Sequence, residues 1–256
     1  YPEDQMVEVM RQRSRSGLAP DLLLVNGDTA LRLRQAGLVD PFPIRKDQLA
    51  IFNEEELGRL RSPDGRLAGL PVLVQTQLGC FNRQRLSEPP ATLQELLNAT
   101  ANGHPMGLSL DLYYLFWIVG STGALPAIDK AVLGQPLNPA DRQALTGWLA
   151  WMQNASNQQR VTFFPDQPTA EAEFKAGRLD WIPCRSIVVP QLRQVMGSAL
   201  GVAPLPDGEG HRASPVNRLR VLALGPSSSA AGRRRALAFS FYSINPLTQR
   251  TLTLGS

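Results

Sequence analysis

The run Leu22-Leu23-Leu24-Val25 constrains the fold most, because it stands between two sets of turn formers, Ala19-Pro20-Asp21 and Asn26-Gly27-Asp28. Four consecutive apolar residues with such flanks suit a strand buried on both faces of a parallel sheet. A short helix is predicted to follow, with Asp28 or Thr29 placed to cap it and Gly37 placed to stop it. The same order recurs along the chain. Leu67 to Val74 reads as a strand after the turn Ser62-Pro63-Asp64-Gly65, and Pro89-Pro90 opens a helix whose capping box runs from Thr92 to Glu95. Met106 to Leu110 is a short strand leading into an aromatic helix, Asp111 to Val119. Asn138-Pro139 starts a helix in which Leu145, Trp148, Leu149 and Met152 form a core-facing stripe at i, i+3, i+4 and i+7. A helix over Ala170 to Ala176 stops at Gly177, a strand follows over Leu179 to Ile182, and Gln191 to Val195 is helical again. Gly201 to Pro206 and Leu219 to Leu224 are the last strands, and Ser227 to Ser229 caps a long helix, Ala230 to Tyr242. This alternation predicts an α/β protein built on parallel or mixed sheets.

The chain has 256 residues, more than one domain usually holds, so two lobes are expected. With 43% hydrophobic and 19% charged residues it has ample core material, which excludes a disordered chain. The longest apolar stretch, Leu108 to Ile128, is broken by Asp111, Ser121-Thr122-Gly123 and Pro126, so no membrane span is expected. Net charge is +4, and its source is local: His211 to Ser256 contains seven arginines and no acid. No helix-turn-helix, zinc or RNA-binding motif accompanies them, so they read as a solvated basic face without a nucleic-acid partner.

Chemistry-bearing motifs are few. The chain has no Gly-x-Ser-x-Gly elbow, Walker loop, dinucleotide fingerprint or zinc motif, and neither His104 nor His211 sits beside an obvious nucleophile. An enzyme, a resident metal and a cofactor are therefore not expected. Cys80 and Cys184 are open to two readings, a pair in an oxidising compartment or two buried thiols. The helical pattern from Met6 to Arg13 starts so near Tyr1 that any leader and first strand are expected outside this sequence.

The order of the segments resembles the family 1 extracellular solute-binding proteins, the maltose-binding-protein-like sugar receptors of bacterial ABC importers. The resemblance rests on Ala19-Pro20-Asp21-Leu22-Leu23-Leu24, Gln35-Ala36-Gly37-Leu38, Gly65 to Pro71 followed by Phe81-Asn82, and Pro89-Pro90-Ala91-Thr92-Leu93-Gln94-Glu95-Leu96. Glu173 to Arg178 and Gly201 to Pro206 continue it, so it extends over nearly the whole chain. It implies a two-lobed periplasmic binding protein type II fold, with a hinge, an interlobe cleft that closes on a ligand, and no covalent chemistry. One lobe would comprise residues 1–75 plus 216–256 and the other 76–215, with crossings near Val74 to Gly79 and Ser214 to Arg218. The family's opening strand, last helices and a further crossing have no counterpart here, so the sequence reads as trimmed at both ends or reduced. A monomer is implied, periplasmic or extracellular, with lipid anchoring as one option, an ABC permease as partner, and a Cys80–Cys184 disulfide in the second lobe if the chain is exported.

Ligands of open α/β sheets sit beyond the carboxyl ends of strands. Asp28 follows the first strand and matches, by the resemblance, a carboxylate that accepts hydrogen bonds from sugar hydroxyls; the alternative is a plain helix cap. Gln75, at the first crossing, matches a position that is often acidic in sugar binders, or is a solvated strand residue. Asp111, Tyr113, Tyr114 and Trp117 follow the next strand end, where the family presents aromatics to the cleft; Phe116 and Trp117 read rather as core, and the tyrosines, whose hydroxyls want a polar partner, as the better cleft candidates. Adjacent tyrosines also admit a ferric-ion reading, although they fall at a different point in the chain from the iron binders' pair. Where the family carries an Asn-Gly-Pro-Trp-like turn, this chain has Cys184-Arg185-Ser186-Ile187. Arg185 is thus a candidate for an anionic or acidic sugar, or a surface residue, and Asn217 at the return crossing completes the set. The function expected is binding of a small polyhydroxylated solute for an ABC importer. A sensory ligand-binding domain, a ferric or anion-binding relative and an α/β enzyme are the alternatives.

Overall fold

The computed structural model describes residues 3–254 of the chain. In chain order the elements are helix α1 (Met6–Arg15), strand β1 (Leu22–Asn26), helices α2 (Gly27–Gln35), α3 (Lys46–Leu49) and α4 (Glu54–Gly58), strands β2 (Leu70–Gln75) and β3 (Gln77–Asn82), helix α5 (Leu93–Ala101) and strand β4 (Met106–Ser109). There follow α6 (Leu112–Leu115), α7 (Trp117–Ser121), α8 (Leu125–Val132), α9 (Pro139–Ser156), β5 (Val161–Phe164), α10 (Gln167–Lys175) and β6 (Trp181–Arg185). The last elements are α11 (Val189–Met196), β7 (Leu200–Ala203), β8 (Arg218–Leu224), α12 (Ala230–Ser243) and α13 (Pro246–Leu254). The chain divides into two compact units: unit 1 runs to Gln75 and resumes at Arg218, and unit 2 is Thr76–Asn217.

Unit 1 holds a three-stranded sheet in the order β1-β8-β2, with β8 antiparallel to both neighbours. This corrects the parallel sheet, buried on both faces, expected around Leu22 to Val25. Successive side chains of a strand point to opposite faces, and in β1 Leu23 and Val25 enter the core while Leu24 is 52% exposed. The covered face shares one core with Met10 of α1, Leu33 of α2, and Leu57 and Leu60. Helix α2 takes neither cap expected for it. Its N-cap is Asn26, whose side chain accepts instead from Arg220 (2.8 Å), and Asp28 lies inside the first turn. Gly37 ends the helix at φ +70°, with the Leu38 N–H returning to the Leu33 carbonyl at 2.8 Å. Arg220 breaks the apolar run of β8 and is held by Glu3 (2.7 Å) as well as Asn26, and Arg233 pairs with Asp40. Part of the basic carboxyl-terminal segment is thereby neutralised inside unit 1.

Unit 2 holds a five-stranded mixed sheet in the order β5-β4-β6-β3-β7. Strand β4 runs parallel to β5 and β6, and β3 antiparallel to β6 and β7. Thr92 caps α5 through the Glu95 N–H (3.1 Å), but Glu95 returns to the N–H of Ala91 (2.7 Å), one residue earlier than a capping box has it. Asn138 opens α9 with a complete box, accepting from the Asp141 N–H (2.8 Å) and donating to its carboxylate (2.9 Å). Lys130 and then the Asn138 N–H hold the Asp141 carboxyl below the usual range. Of the stripe expected on α9, Trp148 and Met152 pack on the core and Leu149 does not. Leu149 is 61% exposed, while Trp148, Trp151, Met152 and the buried Ala155 follow the i, i+3, i+4, i+7 spacing, and the first three of these pack on a core that includes Trp117 and Trp181. The single helix expected over Asp111 to Val119 is two short ones, α6 and α7, meeting at Phe116.

Cys80 of β3 and Cys184 of β6 form a disulfide between fully buried residues whose Cα atoms are 5.8 Å apart. The bridge closes a segment of 104 residues, and cross-linking a loop of that length lowers the entropy of the unfolded chain by an amount worth about 4–5 kcal/mol. A Cys80→Ala/Cys184→Ala variant is therefore expected to lose about 4 kcal/mol of stability in unit 2. Urea denaturation should move the reduced parent to the variant's midpoint, and an unmoved midpoint would show that the bridge contributes nothing.

Candidate functional site

The candidate site of unit 2 is organised by Gln77, the first residue of β3. Its amide is buried, donates to the Tyr113 carbonyl (2.9 Å) and accepts from the Val216 N–H (2.9 Å), and its backbone stands opposite Arg185. Buried amides demand partners on both ends, so one side chain gathers the start of β3, the tyrosine helix and the segment that ends at Asn217. Next to it, the Thr76 N–H donates to Ser186 Oγ (3.2 Å) and the Ser186 N–H to the Thr76 carbonyl (2.8 Å). These bonds assemble the carboxyl ends of β4 and β6, where ligands of parallel sheets are found.

Asp111 caps α6: its Oδ1 accepts from the Tyr113 N–H (2.9 Å), and its own N–H donates to Ser109 Oγ (3.2 Å). The cap fixes the direction in which the two tyrosines leave the strand end. Their rings meet edge to face, with centroids 4.9 Å apart, an arrangement favoured by the ring quadrupoles. Tyr114 is buried and Tyr113 half-buried. The Arg185 guanidinium lies 5.8 Å from the Tyr114 ring centroid, within range of a cation–π attraction. The structure thus brings Asp111, Tyr113, Tyr114 and Arg185 together, with Asn217 next to the Val216 anchor.

Trp117 does not belong with them. It is fully buried, its ring centroid 6.1 Å from that of Trp181, and it sits in the core of unit 2. That burial in the interior corrects its assignment to the ligand-contacting set. In unit 1, Asp28 is exposed in the first turn of α2, where a carboxylate favours the positive end of the helix dipole. Gln75 ends β2, half-buried and opposite Arg218. Among the described residues, no group of three His, Cys, Asp or Glu side chains could hold a metal ion.

Three residues of unit 2 escaped the sequence reading: Gln77, Gln167 and Glu171. The last two lie on the buried face of α10, and Gln167 donates to the Pro183 carbonyl of β6. Burial pushes the Glu171 carboxyl above its ordinary pKa, against the opposing pull of Arg185, then Lys175, then Gln167. Their signal was available, because Gln167, Ala170, Glu171 and Phe174 follow the i, i+3, i+4, i+7 spacing of a core face.

No family model matches the chain. A galactooligosaccharide-binding protein of Bacillus subtilis (strain 168) is 28% identical over 148 residues, 55% of this chain and 34% of that protein. The match thus spans about a third of the length of the curated relative. An extracellular solute-binding protein of Staphylococcus aureus, solved with maltose, superposes with a TM-score of 0.72 at 17% identity, covering 99% of this chain and 69% of that one. The GacH receptor of Streptomyces glaucescens gives 0.76 at 15% identity, with 99% and 68% covered. The maltose-maltodextrin binding protein of Alicyclobacillus acidocaldarius gives 0.73 at 18%, with 95% and 66% covered. This chain has the fold of the extracellular solute-binding proteins. The α/β, two-lobed fold class expected from the sequence is the one these superpositions support, and the proteins they identify are binders rather than enzymes.

The two kinds of position separate by stability. Trp117→Ala is expected to cost about 3–5 kcal/mol, as removal of a fully buried large aromatic does. Asp28→Ala, at an exposed position that caps nothing, should stay within about 0.5 kcal/mol of the parent. Denaturant melts of the two variants check this, and equal losses would contradict the placement of either residue.

Proposed function

We propose that the chain is the solute-binding part of an ABC importer, and that it takes a small polyhydroxylated ligand, a saccharide, in a cleft between the two units. The observation that carries this reading is the set at the strand ends of unit 2, two tyrosines beside an arginine and a helix-capping aspartate. Sugar rings present apolar C–H faces that an aromatic ring covers, while their hydroxyls require donors and acceptors at the rim. Support also comes from relatives whose names or solved complexes speak of galactooligosaccharide, maltose and acarbose.

In this reading Tyr113 and Tyr114 supply the packing surface, Arg185 and Asn217 donate to ligand oxygens, and Asp111 keeps the tyrosines oriented. From unit 1, Asp28 accepts hydroxyl hydrogen bonds and Gln75 offers both donor and acceptor. The chain passes between the units after Gln75 and after Asn217, and these two passages would serve as the hinge. Ligand bound by both units favours the closed form by the difference in its affinity for the two states. The closed form is then what a permease recognises. A buried disulfide is at home in an oxidising compartment, which favours a periplasmic or extracellular location.

Titration calorimetry against neutral mono- and disaccharides, maltose among them, tests the proposal. Asp28→Ala should weaken binding roughly tenfold to a hundredfold, the worth of charge-assisted hydrogen bonds at about 1.5–3 kcal/mol. Tyr113→Ala should weaken it more than Tyr113→Phe, since ring contact outweighs the hydroxyl. Scattering should show compaction on saturation. Failure of every saccharide to bind, or parental affinity in both alanine variants, would overturn the reading.

A further inference from the structure

Unit 2 carries a groove of about 570 Å³ that shares no residue with the tyrosine and arginine set. That volume falls within the roughly 300–1,000 Å³ of small-molecule sites. One wall is α9, through Gly147 and Trp151; the others are the start of α5, with Thr92 and Gln94, and the loop that carries Glu209 and His211. The loop is fixed from both sides. The Asp207 N–H donates to the Ala91 carbonyl and the Asp207 carbonyl accepts from the Leu93 N–H, both at 2.8 Å. The Asp207 carboxylate accepts from the Ala213 N–H (2.7 Å), and Ser121 Oγ donates to the Pro206 carbonyl (2.7 Å). At Gly208 a Cβ would stand 1.6 Å from the Ser121 carbonyl oxygen, so the loop lies directly against α7. Glu209 and His211 are exposed on it, and Trp151 faces them half-buried across the groove.

Gly147 is a residue that the fold itself does not require. It stands inside an 18-residue helix, where glycine is less favourable than alanine. Its backbone is outside the left-handed region, and a Cβ built on it would meet no atom within 4 Å. Neither conformation nor packing therefore explains it. Residues four apart meet on a helix face, so any side chain at position 147 would lie beside the Trp151 indole. Bare backbone there leaves room for a ligand to approach the ring. We propose that the groove is a second saccharide site, in which a sugar packs its C–H face on Trp151 next to Gly147 and turns its hydroxyls to Gln94, Glu209 and His211. A carboxylate accepts from hydroxyls, while a carboxamide and a neutral imidazole each offer a donor and an acceptor. The same carboxylate repels an anionic ligand, and one indole falls short of the several aromatic faces that enclose an organic cation. All of these residues belong to unit 2, so the site stands independently of the cleft proposed above.

The readout is the Trp151 indole signal in proton–nitrogen correlation spectra, identified by its loss in Trp151→Phe, and the probes are maltose and lactose at up to tens of millimolar. At least one of them should shift the signal saturably, with the same midpoint in the parent and in Tyr113→Ala. Gly147→Gln should weaken that response at least about tenfold while melting no earlier than the parent, since glutamine is the better helix former. Glu209→Gln should weaken it roughly tenfold through the lost charge-assisted hydrogen bond. No shift with either sugar, a shift that disappears in Tyr113→Ala, or an undiminished response in Gly147→Gln overturns the site. So does a signal that tetramethylammonium moves and the sugars do not. None of these results bears on the cleft, which the calorimetry of Asp28→Ala and Tyr113→Ala tests separately.

Discussion

The amide of Gln77 is the contact on which the arrangement of unit 2 turns. A buried glutamine is stable only when its carbonyl and its N–H group are both engaged. In this protein one end takes the Tyr113 carbonyl and the other the Val216 N–H. The two partners lie far apart in sequence, so a single side chain joins the strand that enters unit 2 to the segment that leaves it. An apolar residue at position 77 would leave a carbonyl and an N–H unpaired inside the protein. The positions of Tyr113, Arg185 and Asn217 relative to one another follow from that bond pair and from the Thr76–Ser186 bonds beside it.

Around this node the aromatic residues divide according to which side of the sheet they serve. Trp117 and Trp181 fill the interior of unit 2, where their area contributes to folding. Tyr113, half-buried, remains at the strand end, its ring edge to face with that of Tyr114. The disulfide reinforces the same region, since Cys184 immediately precedes Arg185 and ties β6 to β3. Arg185 thus stands on a strand that is both cross-linked and hydrogen-bonded to β3.

Charge is handled differently in the two units. In unit 1 two of the arginines that crowd the carboxyl-terminal segment are paired, Arg220 with Glu3 and Asn26 and Arg233 with Asp40. Their density in the sequence suggested a solvated basic face; the fold spends these two on joining segments distant in the chain. In unit 2 burial pushes the Glu171 carboxyl above its ordinary pKa, against the opposing pull of Arg185.

The sequence alone determined most of the local structure. Asn138-Pro139, Gly37 and Ser229 mark helix ends because capping and positive φ depend on neighbouring backbone groups only. It also held the segment order that identifies the fold and offered Asp28, Asp111, Tyr113, Tyr114 and Arg185 as candidate site residues. Tertiary structure decided what required distant partners. Sheet direction around Leu22 to Val25 was set by β8, which arrives from the other end of the chain. Asp28 yielded the cap position to Asn26, and Trp117 turned into the core together with Leu115 and Ile118. Gln77 and Glu171 went unrecognised for the same reason: a polar side chain becomes a structural or binding element only when burial removes its water, and burial is a property of the folded chain.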